Sequence, residues 1–373
     1  MSYTQFTAAD VAAVKLWTER LSYDVISNDT LAGELTSLGI LVRQDELSRK
    51  AGDQVKYHFL DRLSGKGFKG DETATGNEKA LSYRQATLLI DEQREVVQIP
   101  SLNTIGQQRV TFNLKEDTYT VLRNWYREKM TVGILNQLTG NTATSITYDG
   151  QTYAGDDLTK ITALNAATAP AGTGRIYRGN NSTNTTDQAV NADTTATAKI
   201  SDILAMEAYA EKNRPYIVPL EGKNAMGPFK YLWLVHTDVF NQLLNDTTSP
   251  FQYRDMYYNM LAAGKMTGFS REMIFSQTKV ISMDKMPYGV HSSSGAEQTN
   301  TRRGVFLGKE AGAIAFGQGF SDGKDTTAGF NFKMDTVDVG KLDRIAVTGI
   351  WGASKTVFNS VDRGTVATTH YVA

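Results

Sequence analysis

The sequence predicts an α+β fold built around one long helix, and three patterns support this prediction. Within Glu116–Thr139 the apolar residues recur every three or four positions, the spacing of a single helix face: Val121, Leu122, Trp125, Met130, Ile134, Leu135 and Leu138. Alternating apolar residues, typical of strands, precede this helix in Gly52–Leu63 and follow it in Asn331–Phe358. Between Lys199 and Leu307 helix and strand patterns interleave, as they do in a layered domain.

The predicted helix carries the usual signs of both ends. Glu116 and Asp117 begin it, where the positive end of the helix dipole favours carboxylates, and Gly140 follows it as a C-cap. Gly133 in its interior costs about 1 kcal/mol relative to alanine, so we expect packing to support the helix. The residues expected to anchor its core face are Leu122, Trp125 and Leu135.

Composition narrows the class of protein. The chain has 373 residues with 39 Lys and Arg against 40 Asp and Glu, whereas proteins that bind nucleic acid through phosphates usually have a basic excess. It contains no cysteine, which excludes disulfides and thiolate zinc sites. The N-terminus lacks the features of a signal peptide, and no stretch reaches the roughly 18 apolar residues of a membrane-spanning helix. We therefore expect a soluble protein that is synthesised inside the cell.

A projecting hairpin is predicted before the long helix. Gly52–Leu63 alternates the apolar Val55 and Tyr57 with polar residues, and Tyr83–Ile99 is extended again. The segment between them, Ser64–Lys79, is almost devoid of large apolar side chains. Loops of this length without structure of their own are usually functional or mobile, so we expect the tip to have a role.

Further segments are interpreted from their composition. Thr7 begins an amphipathic helix, and Ser27–Lys50 shows no sustained period. This combination is typical of an arm that packs on another molecule, and equally of a helix that caps its own core. Asn141–Ala198 is rich in Thr, Ala, Asn, Gly and Ser, and we interpret it as a surface insertion with a short hairpin at Ile146–Tyr153. Phe251–Gly264, rich in Tyr and Met, is expected to be partly helical.

The sequence contains no convincing active-site motif. Gly65–Gly70 matches the GxGxxG pattern of dinucleotide-binding proteins, but a polar loop follows it where that fold needs a helix. The four histidines stand far apart, and none has the spacing of a metal site: His58, His236, His291 and His370. Acidic pairs such as Asp71–Glu72 are more often solvated surface than acid–base dyads. We therefore expect a protein that is not an enzyme and that binds no cofactor or metal.

The order of these elements resembles the major capsid proteins of tailed bacteriophages, which have the Hong Kong 97-type fold. Gly52–Phe59, the Gly- and Lys-rich tip and Leu81–Gln98 are similar to the extended loop of a podophage-type capsid family. Glu116–Leu138 is similar to the spine helix of that family. Arg303–Gly312 and Gly349–Phe358 are similar to its closing motifs.

The resemblance implies a division of the chain into an N-terminal arm (1–51), an extended loop (52–99), a peripheral (P) domain with the spine helix (100–145), a Thr/Asn/Gly-rich insertion (146–198), an axial (A) domain (199–325), and P-domain strands with a C-terminal tail (326–373). It implies a major capsid protein that assembles through pentamers and hexamers into the icosahedral or prolate shell around phage DNA. The arm and the loop would reach neighbouring subunits. The expected intersubunit contacts of the loop tip are Lys66, Phe68, Lys69, Asp71, Glu72 and Glu78.

The same resemblance implies the partners. They are copies of the chain itself, a separate scaffolding protein, a portal and, in some relatives, a decoration protein. The shell would enclose double-stranded DNA without sequence-specific binding, and no membrane would be involved. The protein would be assembled in the cytoplasm of a bacterial host and would be located in the virion capsid. Lys66 and Lys69 are candidates for a covalent cross-link to a neighbour, although a flexible tip usually carries lysine for solubility.

Two other classes of protein remain as alternatives. A phage tail or decoration protein also has Gly- and Thr-rich loops, but such proteins are usually β-rich throughout and have no equivalent of the long helix. An enzyme or binding protein with an α/β core is the third class, and the absence of an active-site motif argues against it.

Overall fold

A computed structural model of the chain describes residues 24–25, 30–44, 53–60, 66–73, 75, 78, 83–101, 104–109, 114–213, 215–220, 229–246, 272–317, 330–338 and 340–372. In these residues the helices are α1 (Leu31–Ser37), α2 (Ile105–Gln108), α3 (Leu114–Thr139), α4 (Asp187–Ala192), α5 (Ile200–Lys212) and α6 (Thr237–Leu244), with a 3₁₀ helix at Gly155–Ile161. None of these helices is long and apolar enough to span a bilayer.

The strands of the same residues are β1 (Leu41–Gln44), β2 (Gln54–Leu60), β3 (Tyr83–Leu89), β4 (Asp91–Pro100), β5 (Ser145–Tyr148), β6 (Gln151–Ala154), β7 (Ile176–Arg178), β8 (Tyr231–His236), β9 (Glu272–Phe275), β10 (Thr278–Met283), β11 (Gly289–Val290), β12 (Glu297–Gln298), β13 (Thr301–Leu307), β14 (Gly312–Phe316), β15 (Phe330–Val337), β16 (Leu342–Lys355), β17 (Val357–Phe358), β18 (Val361–Asp362) and β19 (Thr365–Tyr371). The helix predicted from Thr7 falls almost wholly outside the described residues, and Phe251–Gly264 falls outside them entirely.

The long helix predicted from the sequence is α3, which has 26 residues and begins slightly earlier than expected. Its C-terminal end has the predicted glycine cap. Gly140 has a positive φ of 65°, which suits a residue without a Cβ. Its N–H donates to the carbonyl of Gln137 at 3.1 Å, and that of Asn141 donates to Asn136 at 2.9 Å. These two bonds form a Schellman motif, which satisfies carbonyls that the helix leaves free.

The buried face of α3 differs from the predicted face at Val121, which is 61 % exposed. The placement of Val121 on the core face is therefore wrong. The N-terminal half of the helix buries Tyr119, Leu122 and Tyr126 instead, which recur at the spacing of one face. Val121 precedes Leu122 by one residue, so it points about 100° away from that face. The predicted stripe omits the tyrosines, and this omission displaces the centre of the expected face.

Gly133 has a packing role that its helix propensity does not show. A Cβ at this position would lie 2.8 Å from the backbone nitrogen of Ala163. The close approach lets the segment after the 3₁₀ helix lie directly on α3. The cost of about 1 kcal/mol for glycine in a helix is therefore offset by this contact.

Replacing Gly133 by alanine is expected to destabilise the protein by about 1–3 kcal/mol, the usual cost of overpacking. Helix propensity alone predicts the opposite sign. The clash prevails because Ala163 is held in place: its φ is 54° and its carbonyl accepts the N–H of Ala353 at 3.1 Å. Urea unfolding of the unassembled chain measures the difference. Thr120→Ala on the exposed side of α3 is the control and should be neutral or slightly stabilising, and a Gly133→Ala chain more stable than wild type would contradict the packing argument.

The first sheet packs against α3. Its strands are ordered β1-β14-β16-β15, and β4 also pairs with β16. β16 is 14 residues long, so its first part pairs with β4 and β15 and its end pairs with β14. Its inward side chains Ile345, Val347 and Trp351 join the apolar core around α3.

The second sheet has the order β7-β19-β13-β8-β10-β9, and its strand β8 is buried on both faces. On β8, Leu232 and Leu234 face the core around α3, whereas Tyr231, Trp233 and Val235 face a second core formed with α5 and α6. A strand between two cores needs apolar residues at every position. This explains why β8 is continuously apolar in the sequence.

Residues 30–44 pack on their own chain, which corrects the interpretation of this part of the 1–51 arm as irregular. Thr30 caps α1, its Oγ1 accepting the N–H of Gly33 at 3.2 Å. Leu31 and Leu35 enter the core around α3, and β1 pairs in parallel with β14. The sequence shows no period here because α1 has only 7 residues and β1 only 4.

Residues 141–198 are not the surface insertion that their composition suggests. The hairpin β5–β6 forms as predicted. Its Ile146 and Tyr153 form a buried cluster with Val132 of α3 and with Ile161 of the 3₁₀ helix. β7 pairs with β19 in the second sheet. Thr- and Asn-rich segments can be buried in this way because their side chains form hydrogen bonds inside the protein.

The C-terminal segment is extended, as predicted, but it is not a tail. β19 lies between β7 and β13 inside the second sheet, where most of its residues are buried. Its threonines have internal partners: Thr368 Oγ1 accepts the indole N–H of Trp233 at 3.2 Å, and Thr369 Oγ1 donates to Asp187 at 3.2 Å. Residues 365–371 therefore lie in the second sheet, whereas β15 and β16 of the same predicted segment, 326–373, lie in the first sheet.

A buried carboxylate joins the second sheet to the end of α3. Asp187 is 2 % exposed and accepts two hydrogen bonds from Arg303 of β13, at 3.0 and 2.7 Å. Arg178 of β7 donates to its other oxygen at 2.9 Å. Arg303 also donates to the carbonyl of Gly140 at 2.7 Å. One carboxylate thus fixes β7, β13, β19 and the C-terminal end of α3 relative to one another.

Candidate functional site

The element that corresponds to the predicted projecting loop is the hairpin of β2 and β3. The strands pair antiparallel from Gln54 opposite Leu89 to Leu60 opposite Tyr83. After Ile90 the chain enters β4, which belongs to the first sheet. The segment predicted as one extended stretch, Tyr83–Ile99, is therefore two strands in two different sheets.

The root of this hairpin is buried against the first sheet. Val55, Tyr57 and Leu88 pack on Ala313 and Ala315 of β14. The Tyr57 hydroxyl lies 3.1 Å from the hydroxyl of Thr356. Burial raises the pKa of Tyr57, and the hydrogen bond to Thr356 opposes this shift. The root therefore has a defined position on the fold.

An ion pair lies beside this root. Lys355 Nζ and Asp362 Oδ2 are 2.8 Å apart, and neither side chain is more than 1 % exposed. Burial lowers the pKa of Lys355 and raises the pKa of Asp362, and in each case the attraction of the partner opposes the shift. Removing one member would leave a buried charge without its partner, so the pair fixes the end of β16 to β18.

The tip of the hairpin has the opposite character. Each of its described residues is exposed, including the six proposed contact residues: Lys66, Phe68, Lys69, Asp71, Glu72 and Glu78. Phe68 is 53 % exposed, which is unusual for a large apolar side chain. A turn orders part of the tip, because Glu72 accepts the N–H of Lys69 at 3.0 Å and donates its own N–H to the Lys69 carbonyl at 3.2 Å.

The proposed core residues of α3 lie apart from the tip. Leu122 and Leu135 are 1 % and 0 % exposed in the core that joins α3 to both sheets. Trp125 is half-buried at the edge of that core, with its ring 5.6 Å from the ring of Tyr126. The structure therefore brings the tip residues together on one exposed loop, places Leu122 and Leu135 inside the core and leaves Trp125 at its edge.

Sequence reasoning missed the polar residues that hold the hairpin and α3 in place. Asn136 and Gln137 are 2 % exposed on the C-terminal half of α3, and Asn165 is 7 % exposed beside the hairpin. Apolar spacing cannot find such residues. The only sequence sign is an amide side chain within an otherwise apolar helical stretch.

Within the part of the chain that the structure describes, the remaining titratable groups do not form a recognisable reaction centre. No group of His, Cys, Asp and Glu that could hold a metal ion occurs among the residues that the structure describes. His370 is fully buried, with Nε2 3.3 Å from Asp202, and Tyr177 donates to the same carboxylate at 2.7 Å. A mixed polar and apolar cavity of about 250 Å³ lies between β5, α3 and residues 284–288.

The fold is shared with solved capsids of tailed phages. The capsid of Ralstonia phage GP4 matches with a TM-score of 0.69 and 19 % identity, over 91 % of this chain and 89 % of that chain. The Cyanophage Pam1 capsid matches with a TM-score of 0.65 and 15 % identity, over 100 % and 95 % of the two chains. The acid-stable capsid of Helicobacter pylori bacteriophage KHP30 has a TM-score of 0.56 and 16 % identity, over 89 % and 87 %. The fold is therefore the Hong Kong 97-type α+β fold.

Sequence comparison identifies the family. No curated protein matches the chain. A family model described as phage capsid protein matches residues 5–373, and the chain belongs to that family. It is a phage capsid protein, which forms the capsid shell and is located in the virion.

Proposed function

We propose that the chain is a major capsid protein whose copies form pentamers and hexamers, which close into the shell around phage double-stranded DNA. The observation that carries this proposal is the β2–β3 hairpin, with a root buried in its own subunit and an exposed, charged tip. A rigid root with a polar tip is suited to reach a neighbouring subunit. The role is structural, and no catalytic step is assigned to the chain.

The tip has the chemistry of an intersubunit contact. Lys66 and Lys69 stand beside Asp71 and Glu72, so the tip presents both signs of charge. Exposed ion pairs contribute about 0–1 kcal/mol each and are screened by salt. Their repetition around every capsomer makes the sum important for assembly. Phe68 adds an apolar anchor of the kind that is enriched in interface cores.

The elements of the fold divide between the two domains of the proposed capsid subunit. The first sheet and α3 correspond to the P-domain, and the second sheet with α5 and α6 corresponds to the A-domain. In this division β7 and β19 belong to the A-domain sheet, although they lie outside 199–325. The tip residues of one copy would contact the surface of a neighbouring copy.

Further partners are proposed on general grounds. A near-neutral chain suits a container that must release its DNA, because a strongly basic inner surface would hold the phosphates. We propose that a separate scaffolding protein and a portal guide closure, with a decoration protein as a further partner, in the cytoplasm of the bacterial host.

Replacing residues 65–77 by a short Gly-Ser turn is expected to abolish or misdirect shell formation while the subunit stays folded. The described tip residues are exposed, so no core contact that the structure shows is lost. Electron microscopy of the purified protein measures the shells, and thermal unfolding of the subunit measures the fold. The matched control is Lys341→Ala/Asp338→Ala, which removes an exposed ion pair away from the hairpin.

Two results would contradict the proposal. Shells of normal size from the tip-replaced chain would show that the hairpin is not an intersubunit clamp. A wild-type chain that remains monomeric with its assembly partners present would contradict the capsid role itself.

Point variants refine the test. Phe68→Ala should weaken assembly at all salt concentrations, whereas Lys66→Ala/Lys69→Ala should weaken it chiefly at low salt.

A further inference from the structure

The corner between the hairpin and the first sheet is held by one side chain. Asn165 Oδ1 accepts the backbone N–H of Leu89 at 3.1 Å, and its Nδ2 donates to the carbonyl of the same residue at 2.9 Å. The next residue, Ile90, donates its N–H to the carbonyl of Asp53 at 2.9 Å. Both backbone polar groups of Leu89 are thus bound by Asn165 at the last residue of β3.

The first sheet closes the other side of this corner. A Cβ at Gly352 of β16 would collide with the carbonyl oxygen of Leu89 and would lie 3.0 Å from Asn165 Nδ2. The absence of a side chain at Gly352 therefore makes room for the corner. The amide of Asn165 and the backbone of β16 together enclose the carbonyl of Leu89.

Asn165 ends a segment, residues 161–165, that is attached to α3; we name it the strap. Asn136 Nδ2 of α3 donates to the carbonyl of Ile161 at 3.0 Å. Gln137 Nε2 donates to the carbonyls of Thr162 and Asn165, at 2.6 and 2.8 Å. Two neighbouring amides of α3 therefore hold both ends of the strap.

The strap has an unusual backbone conformation. Ala163 and Leu164 have φ values of 54° and 61°, a region that residues with side chains rarely adopt. Strain of this kind persists only where the surroundings determine the conformation, and it clusters at functional sites. Here the surroundings are α3, the Gly133 contact and the bond from Ala353 to the carbonyl of Ala163.

We infer that the strap is a mechanical linkage between α3 and the hairpin, and that Asn165 is the positioning residue that sets the direction in which the hairpin leaves the subunit. The inference rests on the proposed function, because the direction matters when the tip must reach a neighbouring copy. A shift of α3 relative to the first sheet is carried through Gln137 and Asn165 to Leu89. The linkage thereby couples the position of the helix to the direction of the intersubunit contact.

The test compares two variants by hydrogen–deuterium exchange of the full, unassembled chain, read on peptides that cover residues 83–90. Asn165→Ala removes the acceptor of the Leu89 N–H, so exchange there should rise about five- to tenfold, as expected for one or two lost hydrogen bonds. Gln137→Ala removes two hydrogen bonds, and both of them are to the strap. If the linkage exists, exchange in the same peptides should also rise in Gln137→Ala. If Gln137 has only a local role, exchange in these peptides should not change.

Asn184→Ala is the matched control. Asn184 is also a buried asparagine whose amide donates to a backbone carbonyl, that of Gly179 at 2.8 Å, but its bonds lie within the segment 179–193. We expect this variant to leave exchange in residues 83–90 unchanged. An equal rise in the control would attribute the effect to general loosening and overturn the inference.

Shell geometry provides a second measurement. Under the inference, Asn165→Ala and Gln137→Ala produce shells with a broader range of diameters than wild type or Asn184→Ala. Unchanged exchange in Gln137→Ala overturns the linkage, and this variant decides the question if Asn165→Ala fails to fold. A wild-type chain that forms no shells would contradict the proposed function, whereas the exchange comparison would still decide the linkage.

Discussion

Replacing Leu135 by alanine is expected to lower the free energy of unfolding by about 2–5 kcal/mol, the range for a large-to-small change in a packed core. Leu135 is fully buried where α3 meets the first core. The surroundings cannot collapse easily onto a cavity there, because the strap, both sheets and the cap at Gly140 hold this end of the helix. The expected result is a large loss of stability and a fall in soluble protein.

Urea unfolding of the unassembled subunit measures this loss. Val121→Ala is the matched control on the same helix: its side chain is 61 % exposed, so a change within about 0.5 kcal/mol is expected. Trp125→Ala should fall between the two because Trp125 is half-buried. Equal losses for Leu135→Ala and Val121→Ala would show that the buried face of α3 is assigned incorrectly.

Asp187→Ala is expected to destabilise the protein by about 3–5 kcal/mol, because it leaves the buried guanidinium group of Arg303 and the partly buried one of Arg178 without their carboxylate. Arg303 and Arg178 both donate to Asp187, at 2.7 and 2.9 Å. The variant also removes the acceptor of the Val290 N–H and of the Thr369 hydroxyl. Thermal unfolding measures the effect, and Asp157→Ala, which removes an exposed ion pair, is the control.

The contribution of Asp187 should also depend on pH. Burial alone would raise the pKa of Asp187, but Arg303 and Arg178 outweigh burial and hold that pKa below its usual value. A carboxyl with a lowered pKa in the folded state stabilises fully above its unfolded pKa of about 3.9, and this stabilisation is lost as the pH falls through the folded pKa. The stability difference between wild type and Asp187→Asn should therefore be constant near neutral pH and shrink in acid below about pH 4. A difference that grows in acid would contradict this assignment.

The sequence was sufficient to predict α3, its glycine cap and the β2–β3 hairpin. These features follow from local periods: three-or-four spacing for the helix, alternation for β2, and glycine at the helix end. Local periods also show their limits at Val121. The C-terminal half of α3 is buried nearly all round, so its polar Asn136 and Gln137 face protein rather than water. A hydrophobic stripe does not reveal a helix that uses amides to bind its neighbours.

Composition alone predicts the wrong location for residues 141–198. A segment rich in Thr, Asn and Gly is usually a surface loop because its polar groups prefer water. Here the polar groups bind one another and the backbone, as Asn184 does with Gly179 and Asn165 with Leu89. Such a network can be recognised only when its partners are known, and several lie tens of residues away in the sequence.

The pairing of strands within the two sheets could not be predicted from the sequence either. β1 pairs with β14 and β7 with β19, and both pairs are parallel. Short strands of 4 and 3 residues carry too little pattern to specify a partner that lies far along the chain. The exposure of the candidate tip residues, by contrast, can be predicted from the sequence, because a charged segment between two alternating segments is a local property.

The placement of β7 and β19 has a consequence for the synthesis of the subunit. β7 pairs with β19, but β7 ends at Arg178 and β19 begins at Thr365. The ribosome therefore adds almost 190 residues between the two strands. At about 5–20 residues per second, the interval lasts about 10–40 s. During that time the nascent second sheet lacks an inner strand, and the carboxylate of Asp187 lacks its bond from Thr369. A chain that has not yet produced β19 cannot complete the second sheet, so we expect the subunit to become competent for assembly only after β19 has been translated.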